Sequence, residues 1–262
     1  MKKSEWDRRV QRAADLAQRT QYATQVLSFY REVLEFQRTL YSRISMQPVG
    51  AGAGEGPFRA LLDPEDAAGH LPALLALARE KGTAKLAEDA RTIGAASAAR
   101  QREMIQEFLA GGPSAPSFFA RALLQPYAEW LAASFPPPEP AAASSLCPTC
   151  GARPQATVLR PEGDGGKRFL LCSFCLTEWE FRRILCPVCG EEDHRKLPRY
   201  SAEDMLAVRV EACDTCHFYL KSIDLTIDGL AVPLVDEVAT VPLDLWATER
   251  GYKKAEPNLM GF

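Results

Sequence analysis

Apolar residues in the first half of the chain recur at steps of three and four positions, the spacing that gives a helix one buried face. The pattern is clearest between Thr20 and Arg43, where it predicts a long amphipathic helix. Capping residues and helix-opening sequences predict four further helix starts, at Ser4, Asp63, Thr83 and Ser117. The helix after Thr83 is expected to continue to Gly111. A glycine-rich loop is predicted at residues 48–57.

A different pattern begins after residues 135–145, a segment of mainly proline, alanine and serine that favours an extended linker. Beyond it, β-favouring residues come in short runs separated by turns. Strands are therefore expected within 168–171, 179–185, 206–212 and 218–225. A helix-like stretch follows near 243–249. The pattern indicates a helical first half and a β-rich second half.

All cysteines lie in the β-rich half. They form four Cys-x-x-Cys pairs, which are Cys147/Cys150, Cys172/Cys175, Cys186/Cys189 and Cys213/Cys216. The stretches between successive pairs contain 21, 10 and 23 residues. This long, short and long spacing groups the first pair with the second and the third with the fourth. The sequence predicts two metal sites, each held by four thiolates from one group.

The cysteine pairs also repeat in their detailed sequence. Cys147 and Cys186 each open a Cys-Pro-x-Cys-Gly motif, whereas the second pair of each group lacks the proline and the glycine. Proline fixes φ in a tight turn, and glycine can adopt the positive φ that directs backbone N–H groups at the sulfurs. We infer an internal duplication of one metal-binding unit.

Closed sites of four thiolates are usually structural, because they leave no coordination position for a substrate. Iron and zinc both remain open, since each accepts four sulfurs in a tetrahedron. A thioredoxin-like redox role is disfavoured, because it needs one Cys-x-x-Cys between a strand and a helix. His217 follows Cys216 and is a candidate neighbour of the ion, although a solvent-facing position is the commoner case. We expect no catalytic residues and no organic cofactor.

Composition and charge narrow the possible partners. The formal net charge is −3, and residues 146–221 contain 11 Lys/Arg and 11 Asp/Glu, so the basic excess typical of nucleic-acid binding is missing. No run of about 18 apolar residues is present, which argues against membrane insertion. The charged N-terminus does not resemble a secretion signal. We therefore expect a cytoplasmic location, where thiols stay reduced.

With the cysteine repeat in view, the sequence resembles the formate dehydrogenase accessory protein FdhE family. The likeness rests on both Cys-Pro-x-Cys-Gly motifs, on Leu-Cys-Ser-Phe-Cys-Leu-Thr-Glu-Trp at 171–179 with Arg182 and Arg183 after it, and on Glu-Ala-Cys-Asp-Thr-Cys at 211–216. It extends to Leu-Asp-Leu-Trp-Ala-Thr-Glu-Arg-Gly-Tyr at 243–252 and Asn-Leu-Met-Gly at 258–261. The helical half resembles the family only in general terms.

The resemblance implies a cytoplasmic assembly factor that acts on the catalytic subunit of a molybdenum- or tungsten-containing formate dehydrogenase before that enzyme is exported. It also implies iron in rubredoxin-like sites. Two alternatives stay open, a rubredoxin-like electron carrier and a zinc-ribbon nucleic-acid-binding protein. The sequence also leaves open whether the chain forms a homo-oligomer.

These inferences predict an α+β chain with five parts. The α-helical domain is expected at 1–134 and the linker at 135–145. Two tandem rubredoxin-like or zinc-ribbon modules are expected at 146–184 and 185–226. A C-terminal segment with a short helix then occupies 227–262.

Overall fold

A computed structural model describes residues 4–46, 58–111, 117–135, 144–163 and 165–262. The predicted glycine-rich loop at 48–57 and most of the predicted linker, residues 136–143, lie outside these ranges. The helices are α1 (Glu5–Arg19), α2 (Thr24–Ile44), α3 (Pro64–Lys81), α4 (Ala84–Ala95), α5 (Ala98–Leu109), α6 (Ser117–Ser134), α7 (Pro233–Ala239) and α8 (Val241–Glu249). The strands are β1 (Pro154–Glu162), β2 (Gly165–Cys172), β3 (Glu178–Glu180), β4 (Arg199–Ser201), β5 (Val208–Ala212), β6 (Phe218–Asp224) and β7 (Lys253–Lys254).

The chain divides into two compact units, one of residues 28–136 and one of residues 1–27 together with 137–262. The first is helical and the second contains the sheet, which confirms the predicted α+β class. The five boundaries given above stay a prediction. Among the described residues, no helix has the length and apolar composition needed to cross a lipid bilayer.

Local capping signals explain where the helices of residues 28–136 begin. The side chain of Asp63 accepts N–H groups at the start of α3, and that of Thr83 accepts the N–H of Leu86 in α4. The single helix predicted from Thr83 to Gly111 is wrong, because the structure divides it into α4 and α5. Ser97 causes the break: its backbone is extended and its side chain accepts the N–H of Arg100, so a new helix begins there.

The second unit is built on one seven-stranded sheet, in the order β3-β2-β1-β6-β5-β4, with β7 beside β6. The strands β1, β2 and β3 form an antiparallel ribbon from the first cysteine group, and β4, β5 and β6 form another from the second group. The two ribbons meet where β1 pairs in parallel with β6, with Ala156 opposite Lys221 and Leu159 opposite Asp224. The two predicted modules therefore share a continuous sheet.

The two faces of this sheet differ in chemistry. One face carries apolar residues that pack with residues of α8 and its flanks, among them Val158, Val210, Ile223, Leu243 and Ala247. Alternation along each strand places polar side chains on the opposite face. There Arg168 pairs with Glu211, and Arg209 pairs with Asp224. The helix α1 belongs to the same unit, where Arg12 bonds the carboxylates of Asp228 and Asp236.

Candidate metal centres

The first cysteine group lies at the end of the β1–β2 ribbon. Cys147 and Cys150 come from the turn before β1, whereas Cys172 ends β2 and Cys175 lies in the turn after it. The Sγ atoms of Cys147 and Cys175 are 3.5 Å apart, and those of Cys150 and Cys172 are 3.4 Å apart. All four sulfurs lie within 4.8 Å of one another. Cys150 is half-buried and the other three are buried.

The second group is similar in geometry but more open to solvent. Cys186 and Cys216 have their Sγ atoms 3.8 Å apart, and Cys189 and Cys213 are 3.6 Å apart. These four sulfurs also lie within 4.8 Å of one another. Cys189 is exposed and Cys216 is half-buried. The structure thus brings the eight cysteines together in the two groups that their spacing predicts.

All four Cys-x-x-Cys turns adopt the same backbone conformation and hydrogen bonding. The N–H of each first cysteine donates to the carbonyl five residues later, at Ala152, Thr177, Glu191 and Phe218. The residue after each second cysteine has a positive φ: 72° at Gly151, 61° at Leu176, 79° at Gly190 and 57° at His217. The positive φ expected of the two glycines is confirmed. Leu176 and His217 adopt the same conformation despite their side chains, so the duplicated turn overrides their backbone preference.

The turns also direct backbone N–H groups at sulfur. The N–H of Phe174 lies 3.3 Å from the Sγ of Cys172, and that of Val188 lies 3.4 Å from the Sγ of Cys186. Such contacts stabilise negative charge on sulfur and therefore favour the thiolate, which is the form that binds a metal.

The pKa values within each group diverge. Hydrogen bonds from the other three thiols lower the pKa of Cys147, whereas burial raises the pKa of Cys172. In the second group burial raises the pKa of Cys186 and of Cys216, whereas hydrogen bonds from the backbone and from the other thiols lower the pKa of Cys189. Four thiols this close cannot all ionise by themselves, because each new negative charge repels the others. A cation among the sulfurs would remove that repulsion.

The donor set fits a tetrahedral soft cation. Four sulfurs at about 2.3 Å from zinc are separated by roughly 3.8 Å, close to the distances within both groups. Thiolates are the ligands that zinc and iron share in such sites. Both groups can therefore hold one metal ion each. His217 is exposed and stands outside the second group, and His194 is also exposed.

A buried cluster of charged side chains went unpredicted. Lys221 of β6, which is fully buried, lies 3.2 Å from Glu237 of α7 and 2.5 Å from Asp244 of α8. Lys254 of β7 contacts both carboxylates, and Asn258 donates to Glu237. Burial lowers the pKa of Lys221, and the two lysines hold the pKa of Glu237 below its usual value in spite of its burial. The cluster connects the sheet to the C-terminal helices and tail.

The positive φ of Gly190 gives a first testable prediction. An added Cβ meets no heavy atom within 4 Å, so Gly190→Ala changes only the backbone preference. We expect it to lower the free energy of unfolding by about 1 kcal/mol, measured by urea denaturation of the metal-loaded chain. Gly229→Ala, in a turn of the same unit whose φ is not positive, is the matched control and should be near neutral. Equal stability of the two variants would contradict the strain argument.

Comparison with known proteins gives consistent matches. Residues 146–183 match the model "FdhE, central domain", and residues 184–260 match "FdhE, C-terminal domain". The "Protein FdhE homolog" of Aquifex aeolicus (strain VF5) is 31% identical over 253 residues, which covers 92% of this chain and 89% of the relative. The homolog of Shewanella oneidensis is 37% identical over 118 residues, covering 45% of this chain and 38% of the relative. The crystal structure of the FdhE protein from Pseudomonas aeruginosa covers 99% of this chain and 97% of its own, with a TM-score of 0.74 and 25% identity.

Proposed function

The chain belongs to the FdhE family, and from this membership we propose that it is an accessory protein for formate dehydrogenase that binds the catalytic subunit of that enzyme during maturation. The observation that carries the proposal is similarity along nearly the whole chain to a member of the family, together with two assembled four-cysteine groups. The family resemblance found in the sequence identifies that catalytic subunit as the client, the protein that the chain would bind during maturation. Two four-cysteine groups that could each hold an ion support the idea of a binding protein with metal-stabilised modules.

We propose that the chain has no catalytic centre of its own. Four thiolates complete the coordination of an ion such as zinc, so no position is left for a substrate or for an activated water. The ions would instead stabilise the turns at the ends of the two ribbons. Cys147, Cys150, Cys172 and Cys175 would hold one ion, and Cys186, Cys189, Cys213 and Cys216 the other.

We propose iron as the natural metal, on the family resemblance, and a cytoplasmic location. All the cysteines are free thiols, which suits a reducing compartment. Elemental analysis with visible absorption of anaerobically purified protein tests the metal. Iron bound by four thiolates is coloured and redox-active, whereas zinc is neither. Two zinc ions per chain, in protein isolated from its own organism, would contradict this part of the proposal.

Deletion of the gene tests the function. Because the client would remain incompletely assembled, we expect loss of most respiratory formate oxidation in the deletion strain, measured with an artificial electron acceptor. Reintroduction of the gene should restore the activity. A direct test is affinity capture of the catalytic subunit by the tagged, metal-loaded chain. Normal formate oxidation in the deletion strain would contradict the proposal.

A rubredoxin-like electron carrier is the second candidate, and the exposed Cys189 favours it because electron transfer needs a ligand near the surface. A reversible one-electron potential at the second site, with no capture of the dehydrogenase subunit, would favour the carrier. Capture without reversible reduction would favour the accessory role.

A further inference from the structure

A small cleft opens beside the second cysteine group. Leu185, Val188 and Leu220 contribute apolar walls, and Arg168, Arg183, Arg199 and Glu211 contribute charge. Arg168 and Glu211 line the cleft from the polar face of the sheet, and Arg183 and residues 185–188 line it from the segment that leads into the third cysteine pair. Nothing in the metal sites requires these three guanidinium groups, since none donates to a sulfur in the hydrogen bonds described for this region.

The floor of the cleft is a buried ion pair. The Nη2 of Arg168 lies 2.8 Å from the Oε2 of Glu211, and the two side chains are only 5% and 11% exposed. The Nη1 of Arg168 donates to the carbonyls of Arg182 and Leu185, which fixes the guanidinium in place. Glu211 Oε1 and Arg168 Nε are buried and have no hydrogen-bond partner among the described residues. Polar atoms buried in this way normally have a partner.

Positive charge at this cleft exceeds negative charge. Arg199 lies 3.8 Å from Glu211, which already bonds Arg168. Arg183 is exposed and forms no ion pair with any acidic residue in the described part of the chain. Its neighbour Arg182, in contrast, bonds Glu192 at 2.7 Å and does not line the cleft. Arg183 and the partly exposed Arg199 therefore offer guanidinium N–H groups to a carboxylate from outside, whereas Arg168 is held in the floor of the cleft.

The surroundings of these arginines are apolar. Val188 is 38% exposed, and Ile184, next to Arg183 in the sequence, is 48% exposed. Arginine is enriched in protein-binding surfaces, whose buried centres are also more apolar than the rest of the surface. A segment that fits this chemistry carries an acidic side chain with a leucine-sized residue beside it.

We propose that this cleft binds an extended acidic and apolar segment of the client polypeptide, whose carboxylate pairs with Arg183 and Arg199 while its apolar neighbour packs on Val188 and Leu185. The identity of the client rests on the proposed function. The binding chemistry of the cleft rests on the arginines and the apolar walls, and it can be tested without the client.

The direct test uses a capped peptide, acetyl-Ala-Asp-Leu-Leu-Ala-amide, titrated into the metal-loaded full chain. Arginine Nε–Hε signals in the NMR spectrum report on the cleft. We expect saturable shifts at Arg183 and Arg199, and at least tenfold weaker binding by Arg183→Gln, since a hydrogen bond to a charged group is lost. The Asn peptide, acetyl-Ala-Asn-Leu-Leu-Ala-amide, should bind the wild type about as weakly as the Asp peptide binds Arg183→Gln. Arg182→Gln is the matched control and should bind the Asp peptide normally.

Three results would overturn the inference. The first is absence of saturable binding of the Asp peptide to the wild type. The second is equal binding by Arg183→Gln and Arg182→Gln. The third is a loss of bound metal in Arg183→Gln, since the guanidinium would then serve the adjacent sulfurs.

Capture of the formate dehydrogenase catalytic subunit separates this inference from the proposed function. If the wild type captures the subunit and Arg183→Gln captures it at least tenfold less, the result supports both the proposed function and the cleft as the docking site. Equal capture by the two overturns the cleft as the docking site and leaves the function intact. No capture by the wild type, with peptide binding as expected, overturns the proposed client and leaves the cleft as a carboxylate-binding site.

Discussion

Replacement of Cys172 by serine is expected to reduce the bound metal from two ions to one and to destabilise the sheet by several kcal/mol. Cys172 is the last residue of β2, is fully buried, and has its sulfur 3.4 Å from that of Cys150. Structural zinc bound by small domains contributes on the order of 10 kcal/mol, and that binding energy is largely folding energy. Loss of one of four thiolates should therefore remove a large share of the stability of the first ribbon.

Elemental analysis and thermal unfolding of the purified variant measure both effects. Thr149→Ala is the matched control, because Thr149 lies in the other turn of the same cysteine group without supplying a sulfur ligand. It should retain both ions and unfold close to the wild-type temperature. A Cys172→Ser protein with two ions and an unchanged unfolding temperature would disprove the assignment of these ligands. Cys189→Ser should also lose one ion but cost less stability, since its side chain is exposed.

Lys221→Met is expected to lower the free energy of unfolding by about 3–5 kcal/mol, the usual cost of removing one partner from a buried ionic cluster. The variant leaves Glu237 and Asp244 facing Lys254 alone, with one negative charge in excess in a region closed to water. Urea denaturation with intact metal sites measures the change. Lys253→Met, at an exposed position in the same strand as Lys254, should have little effect.

A double variant distinguishes charge balance from packing. Lys221→Met with Asp244→Asn again leaves one lysine with one carboxylate, so we expect it to regain part of the lost stability. If Lys221→Met alone is as stable as the wild type, the methionine compensates for the ionic contacts, and the cluster does not stabilise the fold. If the double variant is even less stable than the single one, the effect arises from lost hydrogen bonds, such as that of Tyr219 to Asp244.

The sequence predicted how the cysteines group because the information is local. A Cys-x-x-Cys turn fixes two ligands within four residues, and the spacing between turns then decides which pairs combine. Helix starts at Ser4, Asp63 and Thr83 were confirmed for the same reason, since each capping side chain bonds N–H groups two or three residues away. Ser97 caps α5 in the same way. The break was not predicted because apolar residues on both sides of Ser97 continue the helical pattern.

Features that depend on distant residues could not be predicted in this way. The strand β1 went unrecognised because it carries Pro154, Arg160 and Pro161, although it pairs with both β2 and β6. The lysine and acidic residues of the buried cluster are far apart in the chain, and charged residues are usually exposed. The arginines of the cleft come from β2, β4 and the segment between the ribbons, so only folding brings them together.

The parallel pairing of β1 with β6 has a consequence for the order of assembly. The paired residues Ala156 and Lys221 are far apart in sequence, so the first ribbon is synthesised well before its neighbour strand exists. Until then β1 presents an open edge, with free backbone groups able to join a foreign strand. Contacts between such distant positions also form slowly. A nascent or truncated chain that ends before β6 should therefore aggregate more readily than the full-length chain.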